Sequence, residues 1–236
     1  MSQNVPERQV TAELITFTAN KAGGIIRMPT EIEEDTFIPL GQFLARYIAR
    51  QLAKLEDKCL FIADGTATYA DIVGIGKYCD DNVAYLVQLA AGKTKPSDAT
   101  INDFRNLRAA VNPAVLADGA AYYLSSTFDA LLPTFNTIGQ PLIYQRMPDG
   151  TAKLDGYPVR WINVSQAYTT AAAANKYLSF FGNLSYWYLG ERGAPRIEVS
   201  REVYFATDEV AMRAIERIDV QGMAIDAMAT LKTAAA

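Results

Sequence analysis

Apolar side chains recur at helical spacing over one long segment near the front of the chain. They stand three or four residues apart, which places them on one face of an α-helix: Phe37, Leu40, Phe43, Leu44, Tyr47, Ile48, Leu52, Leu55 and Cys59. Pro39 lies where the first turn of a helix tolerates proline best. We predict one continuous amphipathic helix over about residues 37–60, roughly 30 Å long at ~1.5 Å per residue.

The opposite side of this predicted helix carries a stripe of cations, each four residues after the last: Arg46, Arg50, Lys54 and Lys58. Like charges at this spacing repel one another by roughly 0.2–0.5 kcal/mol per pair. One interpretation is a solvated face with local partners such as Glu56 and Asp57, and another is a contact with an acidic segment of a neighbouring subunit. The candidate segment is the cluster before the helix, Glu31, Glu33, Glu34 and Asp35. A DNA lining is a third, weaker interpretation.

Extended segments bounded by turn signals account for much of the remaining pattern. They are Val10–Met28 (with a bend at its glycine pair), Tyr122–Leu124, Gln140–Gln145, Val159–Val164, Tyr177–Phe181, Leu184–Leu189 and Arg196–Phe205. Gly182-Asn183 predicts a hairpin turn between two of these strands. A second helix begins after Thr100, where Asp103 completes a capping box. Residues 208–231 favour helix by composition, yet their β-branched residues also suit a strand. The order of elements predicts an α+β fold.

Composition narrows the classes of function. The 236 residues are 50% hydrophobic, enough for a sizeable core in one or two domains. The net charge of −4 argues against a dedicated nucleic-acid binder, which carries a concentrated basic surface. The absence of histidine removes Ser-His and Cys-His nucleophile pairs and His-ligated zinc, and so lowers the expectation of catalysis.

The two cysteines and the lack of long apolar runs bear on the compartment in which the protein is made. Cys59 and Cys79 lack metal-ligand spacing, and Cys59 lies in a helical apolar pattern, so we expect it to be a buried free thiol. This predicts a compartment that is reducing or indifferent to oxidation. No apolar run is long enough to span a membrane, and the first residues hold no secretory signal. We therefore expect a soluble protein made in the cytoplasm, with no membrane partner.

No motif in the chain nominates a catalytic, cofactor or metal site. Val73-Gly74-Ile75-Gly76 lacks the third glycine of a dinucleotide loop and the Gly-Lys-Ser/Thr of a P-loop. Glu31, Glu33 and Asp35 could offer carboxylates to a divalent cation, but they lack the spacing of a dedicated loop. We expect no cofactor.

The elements taken in order resemble the major capsid proteins of tailed bacteriophages and prophages, the Hong Kong 97-type capsid family. The resemblance begins with ITFTANKAGGIIRMPTEIEEDT and the helix FIPLGQFLARYIARQLAKLEDKCLFIADGT. It continues through VGIGKY, TINDFRNLRAAV, AYYLSSTFDALLPTF, LDGYPVRWINV, FFGNLSYWYLGERG, IEVSREVYF and DEVAMRAIERIDVQGMAIDAMATL. No single pattern is specific, so the resemblance depends on their order and spacing over nearly the whole chain.

The resemblance implies a non-enzymatic subunit that assembles with copies of itself into an icosahedral shell around double-stranded DNA. It implies a peripheral domain of residues 23–68 and 191–220 with a spine helix, and an axial domain of residues 69–190 and 221–236 with a central sheet. It also favours strand over helix for Val210–Arg217. Residues 1–22 would be the remnant of an N-terminal arm and extended loop, so Thr11–Thr18 is expected to be disordered or paired with another molecule.

Two other functions stay open at this point. A shell of the same fold around cargo enzymes, as in encapsulins, would bind a cargo peptide. A small-molecule-binding protein or enzyme would have one deep pocket with convergent polar groups, whereas a shell subunit has extended flat contacts.

Overall fold

A computed structural model describes residues 15–31, 40–136, 142–165 and 171–235. Its longest helix, α1, spans Leu40–Phe61. The predicted continuous helix is thus confirmed for the residues described, and it runs two residues beyond Cys59; positions 37–39 lie outside the described residues. Three shorter α-helices follow, α2 (Ile75–Asp81), α3 (Ile101–Ala109) and α4 (Pro113–Ala117).

The described residues contain eleven strands, which form two sheets. In chain order they are β1 (Asn20–Pro29), β2 (Leu86–Gln88), β3 (Ala121–Leu124), β4 (Tyr144–Arg146), β5 (Ala152–Leu154), β6 (Tyr157–Trp161), β7 (Tyr177–Gly182), β8 (Trp187–Glu191), β9 (Arg196–Tyr204), β10 (Glu209–Gly222) and β11 (Met228–Lys232). The mixture of helices with mostly antiparallel strands confirms the α+β prediction.

The smaller sheet is organised around the long strand β10. Strand β1 pairs antiparallel along one edge of β10, from Asn20 opposite Ile218 to Pro29 opposite Glu209. On the other edge, β9 pairs with the first half of β10 and β8 with its end. Val210–Arg217 is therefore strand, as the family resemblance favoured, because its partners on both edges decide the conformation that local composition left open.

The larger sheet has seven strands in the order β2-β11-β7-β3-β6-β5-β4. Its central strands are buried on both faces: Tyr122, Leu124, Phe180, Phe181 and Leu231 are almost fully buried. One face packs against α3 through Phe104 and Leu107. The other face packs against α2 and the end of α1, through Ile75 and Phe61 among others. This sheet therefore holds the main core and anchors the long helix.

The predicted hairpin around Gly182-Asn183 is wrong. Strand β7 pairs with β3 and β11 in the larger sheet, whereas β8 pairs with β10 in the smaller one. Asn183 instead accepts a hydrogen bond from the Ser185 N–H and begins a single 3-10 turn between the two strands. The chain passes from one sheet to the other at this point.

Several local predictions are confirmed. Thr100 and Asp103 form the capping box of α3, with the Thr100 N–H 2.8 Å from the Asp103 carboxylate. Cys59 is a buried free thiol, as predicted, and Cys79 is a second one. Gly74 and Gly76 are packing residues, since a Cβ on Gly74 would lie 2.6 Å from the Cys59 carbonyl oxygen and one on Gly76 2.7 Å from the Tyr177 ring. These close contacts explain why glycine occupies both positions, with no need to invoke a phosphate ligand.

The segment before β1 lies against the small sheet. The Thr18 N–H donates to the Asp219 carboxylate at 2.6 Å. The Phe17 ring lies so close to Gly190 that a Cβ there would be 2.6 Å from it. The described end of Thr11–Thr18 is therefore held by its own chain outside any strand, and the expectation that all of this segment is disordered or paired with another molecule is wrong for residues 15–18; residues 11–14 lie outside the described residues.

Candidate assembly surfaces

The cationic stripe occupies the side of α1 that points away from the small sheet. Ile48 and Leu52 bury that helix against Ile26, Met212 and Ala214. Arg46, Arg50 and Lys54 stand two positions from Ile48 or Leu52, about half a turn round the helix. Lys58 continues the stripe one turn further on, and all four side chains are exposed. No ion pair to any of the four occurs within the described parts of the chain. The local partners considered for them, Glu56 and Asp57, do not pair with them there.

The acidic cluster before α1 is described only at its first member. Glu31 is exposed just beyond β1. Glu33, Glu34 and Asp35 lie outside the described residues. Their contact with the stripe of a neighbouring subunit remains a prediction.

The small sheet has one covered face and one bare face. Met212, Ala214 and Ile218 of β10 point toward α1 and are buried or half-buried. The alternate residues Arg213 and Arg217 are exposed on the other face. Because opposite residues of antiparallel strands share a face, they are joined there by Lys21 opposite Arg217 and by Ile25 and Glu198 opposite Arg213.

The bare face contains a basic pocket of about 320 Å³. Five cationic side chains line it, all exposed: Lys21, Arg192, Arg196, Arg213 and Arg217. Only Arg213 forms an ion pair within the described residues, with Glu198. That guanidinium, with help from Arg196 and Lys21, holds the pKa of Glu198 below its usual value. The pocket therefore presents an excess of positive charge to solvent.

A buried carboxyl group lies on the covered face of the same sheet. Glu216 is 4% exposed, and neither of its carboxylate oxygens has a hydrogen-bond partner among the described residues. Burial, followed by the charges of Glu56 on α1 and Glu191 on β8, raises the pKa of Glu216 to about 7. Glu56 is affected in the same direction by burial and by Glu191. Three acids thus meet where α1 crosses the sheet.

This cluster predicts a stability that depends on pH. The pKa of Glu216 is about 7 in the fold against an ordinary 4.5, so its stabilising contribution is complete below 4.5 and is lost as pH rises through about 7. Between about pH 5 and about pH 8 we expect the parent to lose about 2 kcal/mol more unfolding free energy than Glu216→Gln, because ionising the buried carboxyl in the folded protein costs free energy and glutamine does not ionise. Urea unfolding at both pH values measures this difference.

Glu202→Gln is the matched control, because Glu202 is an exposed acid on β9 of the same sheet. It should leave the pH dependence of the parent unchanged. Equal pH dependence in Glu216→Gln and the parent would show that Glu216 is not the titrating group.

Two thiols and one polar cavity are further candidates for chemistry among the described residues. Burial raises the pKa of the Cys59 thiol to about 11 and of the Cys79 thiol to about 12, so neither is a thiolate near neutral pH. A cavity of about 540 Å³ is lined by Tyr177, Lys232 and Asp80 among others. Three of its polar side chains bond to one another: Asp80 accepts from Lys232 at 2.6 Å and from the Tyr177 hydroxyl at 3.0 Å.

Nowhere in the described ranges do three or more acidic or cysteine side chains come together as metal ligands. No helix there is both long and apolar enough to cross a bilayer.

Sequence reasoning did not find the basic pocket or the buried acid. The pocket draws its cations from β1, β10, β9 and the loop before β9, and only the strand register brings them together. A signal for Glu216 was present in the alternation Met212, Ala214, Glu216, Ile218, which places a carboxyl on an apolar face. That alternation becomes informative only once the segment is known to be a strand.

The comparisons with known proteins agree with one another. A model of the phage capsid family matches residues 1–233. No curated protein sequence matches the chain.

Solved structures share the fold at low sequence identity. The capsid of an empty GTA particle, computed with C5 symmetry, has a TM-score of 0.68 and 18% identity over 100% of this chain and 80% of its own. A protein of Mycobacterium phage Bobi has a TM-score of 0.63 and 13% identity over 93% of this chain and 73% of its own. One of Gordonia phage Cozz has a TM-score of 0.60 and 12% identity, over 99% and 80% respectively.

Proposed function

This chain belongs to the phage capsid family and is a major capsid shell subunit with the Hong Kong 97-type fold, and we propose that it works by forming head-to-tail rings of identical subunits that tile a closed icosahedral shell around double-stranded DNA. The observation that carries the proposal is the family match over residues 1–233 of a chain whose whole fold overlays a capsid. The subunit performs no reaction, and its function lies in the geometry of its contacts. The shell is the virion capsid, assembled from protein made in the host cytoplasm.

In this proposal the subunit has two domains, and contacts between subunits build the shell. The peripheral domain comprises residues 23–68 and 191–220, with α1 and most of the small sheet, although β8 (Trp187–Glu191) lies almost wholly outside these bounds. The axial domain comprises residues 69–190 and 221–236, with the seven-stranded sheet. Identical subunits that meet through different patches form heterologous contacts, which close into rings when the rotation permits. Each subunit makes several such contacts, so each contact can be weak enough to reverse errors during growth.

The stripe Arg46, Arg50, Lys54 and Lys58 is proposed as one of these contacts. Its side chains are exposed and have no ion-pair partner within the described residues, although like charges four residues apart repel. The acidic cluster Glu31, Glu33, Glu34 and Asp35 of a neighbouring copy supplies the opposite charge. Where the stripe faces the interior, the same cations tolerate packaged DNA without reading its sequence.

Reversing two charges of the stripe tests this contact. In Arg50→Glu/Lys54→Glu we expect an unchanged far-UV circular dichroism spectrum, because both side chains are exposed on a helix that tolerates glutamate. We expect most of the closed particles to be lost in sedimentation velocity, because like charges would then face each other across the contact.

Lys93→Glu/Lys153→Glu is the control with the same change in net charge, at exposed positions away from α1. It should retain particles. Normal particle yield from the stripe variant would mean that this face of the helix is merely solvated.

A further inference from the structure

The small sheet carries opposite charge at its two ends. The basic pocket lies where β9 begins, at Arg196. The other end is the β9–β10 hairpin tip, where β9 ends at Tyr204 and β10 begins at Glu209. Four acids stand at or beside this tip against two cations, Arg27 and Arg201: Glu31, Glu202, Asp208 and Glu209. The strand therefore joins an acidic end to a basic end.

The tip is held in a defined shape. The Asp208 carbonyl accepts hydrogen bonds from the Thr30 N–H at 3.1 Å and the Thr30 hydroxyl at 3.2 Å. The Arg27 guanidinium lies 4.6 Å from the centre of the Tyr204 ring. At the summit of the turn, the Phe205 side chain is 85% exposed. An exposed aromatic ring with acids around it is suited to enter a pocket with a cationic rim.

The tip cannot reach the pocket of its own chain. At roughly 3.3 Å per residue, β9 separates Arg196 from Phe205 by about 30 Å. Both ends belong to one sheet that is bonded along its length to β10, so they keep this separation. Any contact between tip and pocket must join two copies.

We propose that the hairpin tip of one subunit docks in the basic pocket of the next, with Phe205 as its apolar anchor and Glu202 and Glu209 facing the pocket cations Arg196 and Arg217. The inference rests on the proposed shell function and names one of its contacts. A tip and a pocket on the same sheet make a heterologous, head-to-tail interface, the kind that forms rings. Opposite charges steer the encounter, and like charges at the same place oppose it.

The test uses two full-length variants and their mixture. The tip variant is Glu202→Lys/Glu209→Lys, and the pocket variant is Arg196→Glu/Arg217→Glu. In each variant alone, the two tip positions and the two pocket positions that face each other carry like charge, and we expect sedimentation velocity to show loss of the oligomers formed by the parent. In a 1:1 mixture, these facing positions carry opposite charge whenever a tip of one variant meets a pocket of the other, and we expect oligomers to return.

Lys93→Glu/Lys153→Glu is the control for the change in net charge. It has the same net charge as the pocket variant and should associate like the parent. The salt concentration gives a second readout. The Debye length falls from about 8 Å at 0.15 M salt to about 3 Å at 1 M, so high salt should weaken association of the parent. Circular dichroism establishes that each variant is folded.

The outcomes separate this contact from the shell function. Closed particles from both single variants, or a folded mixture that stays dissociated, would overturn the docking proposal and leave the shell function intact. Salt-sensitive oligomers that complement in the mixture but never close into particles would support the contact and count against the shell. A parent that remains monomeric throughout would overturn both.

Discussion

Phe61→Ala should lower the unfolding free energy by about 3–5 kcal/mol, the usual cost of removing a buried phenylalanine side chain. Phe61 is 3% exposed at the last position of α1. Its ring lies 5.1 Å from the ring of Phe180 and 5.8 Å from that of Tyr123, centre to centre. The residue therefore fastens the long helix to the seven-stranded sheet. Differential scanning calorimetry should show a melting temperature lower by about 10 °C.

Phe43→Ala is the matched control on the same helix. Phe43 is 59% exposed, so its truncation should change the unfolding free energy by about 0.5 kcal/mol or less. If the helix end is the joint between the two sheets, Phe61→Ala should also reduce particle yield under conditions where the variant is still folded. Equal melting temperatures for the two variants would contradict the anchoring role.

Gly182→Ala should cost about 3 kcal/mol or more of unfolding free energy, because backbone must move to admit one methyl group. A Cβ at this position would lie 2.0 Å from the Ala227 carbonyl oxygen and 2.9 Å from the Met228 Cα. Its φ of +143° adds backbone strain. Gly182 is the last residue of β7, where the chain leaves the large sheet for the small one, so the substitution disturbs the connection between the two sheets. Urea unfolding measures the loss.

Gly193→Ala separates strain from close contact. Gly193 also has a positive φ, +80°, but a Cβ there meets nothing within 4 Å. It should cost only the left-handed backbone penalty, about 1–2 kcal/mol. A Gly182→Ala variant no less stable than Gly193→Ala would show that the approach of β7 to the Ala227 carbonyl is not tight.

The elements that sequence predicted well are those specified by neighbours along the chain. The long helix follows from apolar spacing within one segment, and Thr100 and Asp103 cap α3 within a single turn. Both signals depend on residues that lie close in sequence, so they do not require knowledge of distant partners.

The elements that sequence missed depend on distant pairing. Gly182-Asn183 has the composition of a hairpin turn, yet Phe181 pairs with Tyr122 and Ala229, and Trp187 with Gly222. Tertiary pairing overrode the local signal. In the same way, Lys21 and Arg217 are far apart in the chain and meet only through the register of β1 on β10. The basic pocket could not be predicted before that register was known.

For the cationic stripe, the sequence predicted which side chains are exposed and did not predict what they contact. Its four-residue spacing correctly placed Arg46 and Lys58 on the exposed side of α1. Spacing carries no information about the molecule that faces an exposed residue, so its contact with another subunit remains a prediction.

The central claim is that this chain assembles with its own kind into a closed shell. Cryo-electron microscopy of the purified protein, folded by circular dichroism and imaged over a range of protein and salt concentrations, tests it most directly. We expect hollow closed particles of uniform curvature, built from rings of identical subunits. A folded chain that stays monomeric under all of these conditions would contradict it.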